Sequence, residues 1–145
     1  MSDVTPGYTL TARSSQGYDA TVARVRELLA DAGFGVLTEI DLKATLKAKL
    51  DVDVAPQVIL GACRPQLAHQ ALAADPSVAA LLPCNVVVRE DADGVVVEAF
   101  DPQAMIAMTD AGDAVCEVAN DARARLQQML AALTAASTGP TDGQD

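Results

Sequence analysis

The chain has 145 residues, with 20 acidic and 10 basic side chains and a formal net charge of −10, which disfavours phosphate backbones and anionic lipid surfaces as partners. This length corresponds to about one domain, whose core must be aliphatic because the sequence holds no Trp, two Phe and two Tyr. The amino-terminal residues lack a basic stretch followed by an apolar run, and no segment approaches the roughly 18 apolar residues of a membrane span. We therefore expect a soluble, cytoplasmic protein that binds neither nucleic acid nor membrane, and whose three cysteines form no disulfide framework.

The first fifty residues predict alternating strands and helices. Tyr8 to Ser14 alternates apolar and polar side chains, as in a half-buried strand. Tyr18 to Ala32 has the spacing of an amphipathic helix, with Ser15 as its candidate cap. Gly35 to Asp41 alternates again, and Leu42 to Leu50 has apolar residues every four positions. These patterns indicate the order strand, helix, strand, short helix.

The middle of the chain predicts three further strands. Val58 to Ala62 is a short apolar run typical of a buried strand, and Pro65 is well placed as the first residue of a helix over residues 65–74. A helical turn is expected over Val78 to Leu82. The segments Val86 to Glu90 and Val95 to Phe100 flank an Asp-Gly turn, so they predict an antiparallel hairpin.

The predicted fold class is α+β, with two layers and one antiparallel sheet in the element order β-α-β(4)-α plus short inserted helices. After a short helical stretch ending at Ala107, Asp113 is the expected cap of a long helix to Leu133 with one apolar stripe. We expect a single domain over residues 7–134, a flexible amino terminus over 1–6 and a disordered polar tail over 135–145. Because several strands are too apolar for a sheet face in contact with water, a homodimer is expected.

Cysteines at the ends of predicted elements are the first candidates for chemistry. Cys63 lies between a strand end and a helix amino terminus, where backbone amides and the helix dipole can lower a thiol pKa. It is therefore the candidate catalytic nucleophile. Cys84 also lies at a junction, directly after Pro83. The structural alternative is that both cysteines, and Cys116 above all, are small buried apolar groups.

Two polar sets could bind ligands. Cys63, His69 and Cys84 would suit a soft metal ion such as zinc or copper(I), although a Cys-x-x-Cys pair is absent and His69 is equally explained as a histidine at the edge of the core. Glu39 and Asp41 are two apart on a predicted strand, so their carboxylates share one face and could bind a cation. They are also explained as surface ion pairs.

Four motifs resemble the domain-of-unknown-function 302 family. They are residues 33–41 (GFGVLTEID), residues 61–65 (GACRP) with Ala68-His69, residues 82–86 (LPCNV) and Asp101-Pro102. The resemblance implies a fold similar to the TATA-binding-protein-like class, often seen as a dimer, and implies no settled activity. Arg64 stands where many relatives have Asn or another polar residue, so it adds a positive charge next to Cys63. This charge favours an anionic ligand or the thiolate form of Cys63.

Three hypotheses for function remain open, and the sequence does not decide whether the protein is an enzyme. The first is a binding domain for a small anion, a sulfur species or a soft metal ion. The second is a thiol-dependent oxidoreductase or sulfur-transfer protein that uses Cys63, and the third is a structural dimerisation module. The site predicted for the first hypothesis gathers the following residues: Cys63, Arg64, His69, Cys84 and Asn85, with Glu39 and Asp41 nearby.

Overall fold

The structure is a computed structural model that describes residues 7–108 and 112–138, with side chains up to residue 134. The predicted flexible amino terminus over residues 1–6 lies outside the described residues, as does the predicted disordered tail over residues 135–145 from residue 139 onward. Residues 135–138 of that tail are helical. The strands are β1 (Thr9–Ser14), β2 (Gly35–Asp41), β3 (Gln57–Cys63), β4 (Cys84–Asp91) and β5 (Gly94–Phe100). The helices are α1 (Tyr18–Asp31), α2 (Leu42–Leu50), α3 (Pro65–Ala74), α4 (Gln103–Ile106) and α5 (Asp113–Thr138), with a 3-10 helix at Pro76–Leu81.

The five strands form one antiparallel sheet in the order β1-β5-β4-β3-β2. The predicted hairpin of β4 and β5 turns between Asp91 and Gly94. In β2 the register shifts between Val36 and Thr38, so this edge strand carries a bulge. The predicted α+β fold with a single antiparallel sheet is confirmed.

Local sequence explains most helix boundaries. The Asp41 carboxylate accepts a hydrogen bond from the Ala44 amide at 2.9 Å and caps α2, and Pro65 begins α3 as expected. The predicted cap of α1 was wrong, because the helix begins after Gly17 and has no side-chain cap, whereas Ser15 lies two residues earlier. Helix α5 continues to Thr138 instead of ending at Leu133.

Helices α1, α3 and α5 cover one face of the sheet. Leu60 of β3 and Val86 of β4 have no exposed surface. They pack in one cluster with Leu29 of α1, Leu67 of α3 and Leu126 of α5. Residues two apart on a strand share a face, so this cluster also holds alternate residues of β3, β4 and β5. The core is aliphatic, as the composition predicts.

The opposite face of the sheet combines an apolar row with charged pairs. Ile40, Ile59 and Val87 pair with one another across β2, β3 and β4, and none of the three is fully buried. We call these three residues the apolar row. Beside it, Arg89 Nε donates a hydrogen bond to Glu98 Oε1 at 2.8 Å.

Candidate functional site

A cavity of about 30 Å³ lies between the carboxyl end of β3, helix α3 and helix α5. Its walls are almost entirely apolar, and they include both predicted junction cysteines. Its lining includes Cys63, Arg64, Leu67, Cys84, Met105 and Val118. The structure therefore brings three of the predicted site residues, Cys63, Arg64 and Cys84, to one place.

The two cysteines meet where β3 ends and β4 begins. Cys63 follows Ala62, whose partner in β4 is Cys84, and both cysteines line the cavity. Strand β3 ends at Cys63 and helix α3 begins at Pro65, so Arg64 occupies the cap position between them. A strand end and a helix start therefore place a charged side chain beside two thiols.

Burial keeps both thiols protonated. It raises the pKa of the Cys84 thiol to about 11, with a smaller contribution from the neighbouring Cys63, and it also raises the pKa of the Cys63 thiol. The prediction of a lowered pKa at Cys63 was wrong in direction, because the loss of water around the sulfur raises the pKa of this thiol. All three cysteines are free.

Arg64 carries the unusual electrostatics of the site. Its Nε atom is buried and, among the described side chains, has no hydrogen-bond partner. Gly33 leaves room for the Arg64 side chain, because a Cβ at Gly33 would lie 3.0 Å from Arg64 Nε. Gly33 adopts a left-handed backbone conformation with φ of 92°. A buried donor without a partner costs about 1–3 kcal/mol, so this nitrogen is an unused donor on a residue that lines the cavity.

The structure separates His69 and Asn85 from the cavity. Both side chains are exposed, and neither contributes to the cavity wall. Asn85 pairs with Gly61 and follows Cys84 on the same strand, so it faces the other side of the sheet. Over residues 7–108 and 112–138, no group of three His, Cys, Asp or Glu side chains is arranged to hold a metal ion, so the predicted zinc or copper(I) set is not assembled.

Glu39 and Asp41 lie at a different place, a cleft of about 330 Å³ between α1 and β2. They share one face as expected, yet each already has a structural partner. Glu39 forms an ion pair with Arg26 of α1, and Asp41 caps α2. These two carboxylates therefore do not join Cys63, Arg64 and Cys84.

Family comparison agrees with the fold and leaves the activity open. Residues 10–133 match the family model described as "Domain of unknown function DUF302". The chain belongs to the DUF302 family. The DUF302 chain is similar to a solved structure described as an uncharacterised conserved DUF302 protein from Bacillus stearothermophilus. The two share 31% sequence identity, with a TM-score of 0.78, over 87% of this chain and 98% of the other. No curated protein matches this DUF302 chain.

Arg125 of α5 also lies near Arg64 in this DUF302 domain, although no motif of the sequence indicates it. Its Nη1 atom donates a hydrogen bond to the Ala32 carbonyl at 2.9 Å, and it lies 3.5 Å from the position that a Cβ would occupy at Gly33. The two hydrogen-bonded residues are 93 positions apart, so no local pattern could have related them.

Among the described helices, none is long and apolar enough to cross a membrane.

Proposed function

We propose that this DUF302 domain binds a small anion that carries an apolar group, with Arg64 as the charged contact and the cavity between β3, α3 and α5 as the apolar subsite. The observation that carries the proposal is the buried Arg64 Nε atom, which has no hydrogen-bond partner among the described residues. An anion would satisfy that donor and remove the energetic cost of leaving it unpaired.

The composition of the cavity supports an amphipathic anion over a fully polar one. Small-molecule sites are mostly apolar, with a few polar groups that orient the ligand, and Arg64 beside Leu67, Met105 and Val118 follows that pattern. The chain as a whole has a net charge of −10, so a positively charged residue that lines an apolar cavity is unusual for this protein.

Filling the cavity tests the proposal. Ala68 of α3 is half-buried in the cavity wall, whereas Ala73 on the same helix is exposed. In heteronuclear NMR titrations with sodium butyrate, we expect saturable shifts of the Leu67 and Val118 methyl groups in the wild type. Ala68→Leu should abolish them and Ala73→Leu should retain them. Absence of saturable shifts in the wild type, or equal shifts in both variants, would overturn the proposal.

A thiol enzyme or a soft-metal protein has less support. Cys63 and Cys84 both have raised pKa values, whereas a nucleophile or a metal ligand has to be the thiolate. The metal hypothesis also needs His69, which is exposed and outside the cavity wall. A sulfur species fits the site only as an anion that Arg64 can contact.

We also propose a homodimer in which the apolar row of one copy packs against that of a second copy. The face carries charges of both signs, Arg89 beside Glu98, so an identical partner would not meet a surface of one repelling sign. In sedimentation velocity at micromolar concentration, we expect a dimer for the wild type and a monomer for Ile40→Lys. The control Leu50→Lys changes an equally apolar, exposed residue of α2 and should remain a dimer. A monomeric wild type would refute this assembly.

The protein is further proposed to act in the cytoplasm without a nucleic-acid partner. Three free cysteines suit a reducing compartment, and a net charge of −10 opposes binding to phosphate backbones. Cell fractionation should recover the protein with cytoplasmic markers. An electrophoretic shift of duplex DNA at low salt concentration would contradict the second part.

A further inference from the structure

Arg64 and Arg125 approach each other across Gly33. Arg64 Nε lies 3.0 Å and Arg125 Nη1 lies 3.5 Å from the position that a Cβ would take at Gly33, so the two nitrogen atoms are no farther apart than the sum of these distances. The absence of a side chain at Gly33 keeps the gap between them open. Two guanidinium groups that repel each other therefore lie close together beside Gly33, and Arg64, one of the two residues, also lines the cavity.

The charge at this point is incompletely balanced by the described residues. Arg125 is held by the Ala32 carbonyl through Nη1 and by the Asp121 carboxylate through Nε. Arg64 forms no ion pair with a described residue. The two arginines and Asp121 together leave one net positive charge, which one monovalent anion would neutralise.

We infer that Arg125 is the second anion contact of this site and that its ligand is a short-chain monocarboxylate, a deepening that rests on the proposed function. A carboxylate presents two oxygens in one plane, and arginine donors bind such oxygens at about 2.8 Å. Its two oxygens can therefore span the gap, one toward Arg64 and one toward Arg125. Because its other partners already hold Arg125 in place, binding requires little further ordering of that side chain.

The cavity sets the length of the apolar group. Its volume of about 30 Å³ is well below the roughly 150 Å³ of a protein cavity that takes benzene, so it holds a chain of only a few carbon atoms. A phosphate ion would satisfy the arginines but leave the contact with Leu67 and Val118 unmade. Its second negative charge would also exceed the single positive charge available.

Calorimetric titration of the full chain with sodium butyrate tests Arg125 directly. We expect Arg125→Gln to weaken butyrate binding by about tenfold or more, because a charge-assisted hydrogen bond is lost. Arg24→Gln removes an exposed arginine of α1 that pairs with Glu27 and should stay within about twofold of the wild type. Arg125→Lys keeps the charge but loses the planar fork, so it should bind with intermediate affinity.

The outcomes separate this inference from the proposed function. If the wild type does not bind butyrate, both fail. If Arg64→Gln abolishes binding while Arg125→Gln leaves it unchanged, the role of Arg125 is wrong and the proposed function stands. If Arg125→Gln does not fold, as judged by thermal unfolding, Arg125→Lys decides: affinity equal to that of the wild type overturns the role of its planar fork in carboxylate contact.

A chain-length and competition series tests the ligand class. Affinity should increase from acetate to butyrate and fall at octanoate, and inorganic phosphate at equal concentration should not displace butyrate. Strongest binding of octanoate would overturn the short-chain assignment. Displacement by phosphate would overturn the preference for a monocarboxylate, with Arg64 retained as the charged contact.

Discussion

Arg123 Nε donates a hydrogen bond to Oδ1 of the buried Asp101 at 3.0 Å. The same carboxylate oxygen accepts a hydrogen bond from the backbone N–H of Gln103 at 2.9 Å. The ion pair thereby joins α5 to the segment that begins α4, whose Met105 forms part of the cavity wall. A long-range contact thus holds one wall of the candidate site in place.

Removal of the Asp101 carboxylate should destabilise the fold. We expect Asp101→Ala to lower the free energy of unfolding by about 2 kcal/mol, because it leaves a partly buried guanidinium and a backbone amide without their acceptor. Glu27→Ala breaks an exposed ion pair of α1 and should cost no more than about 0.5 kcal/mol. Urea unfolding followed by circular dichroism measures both, and equal losses would contradict the structural role of Asp101.

A methyl group at Gly61 should not fit between β2 and the Leu82-Pro83 segment. A Cβ there would lie 2.8 Å from Pro83 Cγ and would also clash with the Thr38 side chain. Gly61→Ala should therefore lower the free energy of unfolding by about 1–3 kcal/mol. Gly17→Ala meets no atom within 4 Å and has an ordinary φ of −69°, so the control should change stability little. A Gly61→Ala variant as stable as the control would refute the predicted clash.

The cysteines of the cavity should react slowly with alkylating reagents. Because burial raises the pKa of the Cys63 thiol and raises that of Cys84 to about 11, both are protonated at pH 8 and the nucleophilic thiolate is scarce. Timed iodoacetamide labelling with mass spectrometry should show Cys84 reacting more slowly than a free cysteine in a short peptide, and its rate should increase as the pH approaches 11. Rapid labelling of Cys63 at pH 7 would instead favour the thiol-enzyme hypothesis.

The ion pair of Arg13 and Asp91 should contribute stability that acid removes. Two hydrogen bonds from Arg13, at 2.9 and 2.7 Å, lower the pKa of Asp91 from 3.8 to about 2, with help from the Asp93 amide. Since the folded pKa is depressed, the contribution is present above pH 3.8 and is lost as pH falls through about 2.

Arg13→Gln should therefore lower the melting temperature at pH 7 and have progressively less effect between pH 4 and pH 2. Carboxyl NMR should show the Asp91 titration midpoint returning toward 3.8 in this variant. Arg24→Gln, the matched change of another exposed arginine, should leave the Asp91 midpoint at about 2. A midpoint that does not move in Arg13→Gln would contradict the assigned cause.

Prediction from the sequence succeeded where one element carries its own signal. The bounds of α2 and α3 were predicted as the structure has them, Leu42–Leu50 and Pro65–Ala74, because apolar spacing and a first-turn proline are local properties. The end of α5 was predicted too early. The apolar stripe ends at Leu133, but the alanines that follow it favour helix in their own right.

The candidate site was predicted only in part, because residues that are adjacent in a strand face opposite sides of the sheet. Cys84 and Asn85 are neighbours, yet Cys84 belongs to the helix-covered face and the exposed Asn85 to the other. His69 follows Cys63 by six residues and still lies outside the cavity wall. No local pattern in the sequence indicated a role for Arg125, because its hydrogen bond to Ala32 joins α5 to the end of α1, 93 residues away.

The sequence by itself determined the order of the elements, the aliphatic core and the cysteines at element ends, since these follow from spacing and composition over a few residues. Only the tertiary structure decided that Cys63, Arg64 and Cys84 share one cavity and that Arg125 and Arg64 lie on either side of the space beside Gly33. The reason is physical. Strand register and helix packing depend on how buried surfaces from distant segments fit together, and that fit also raises the thiol pKa values.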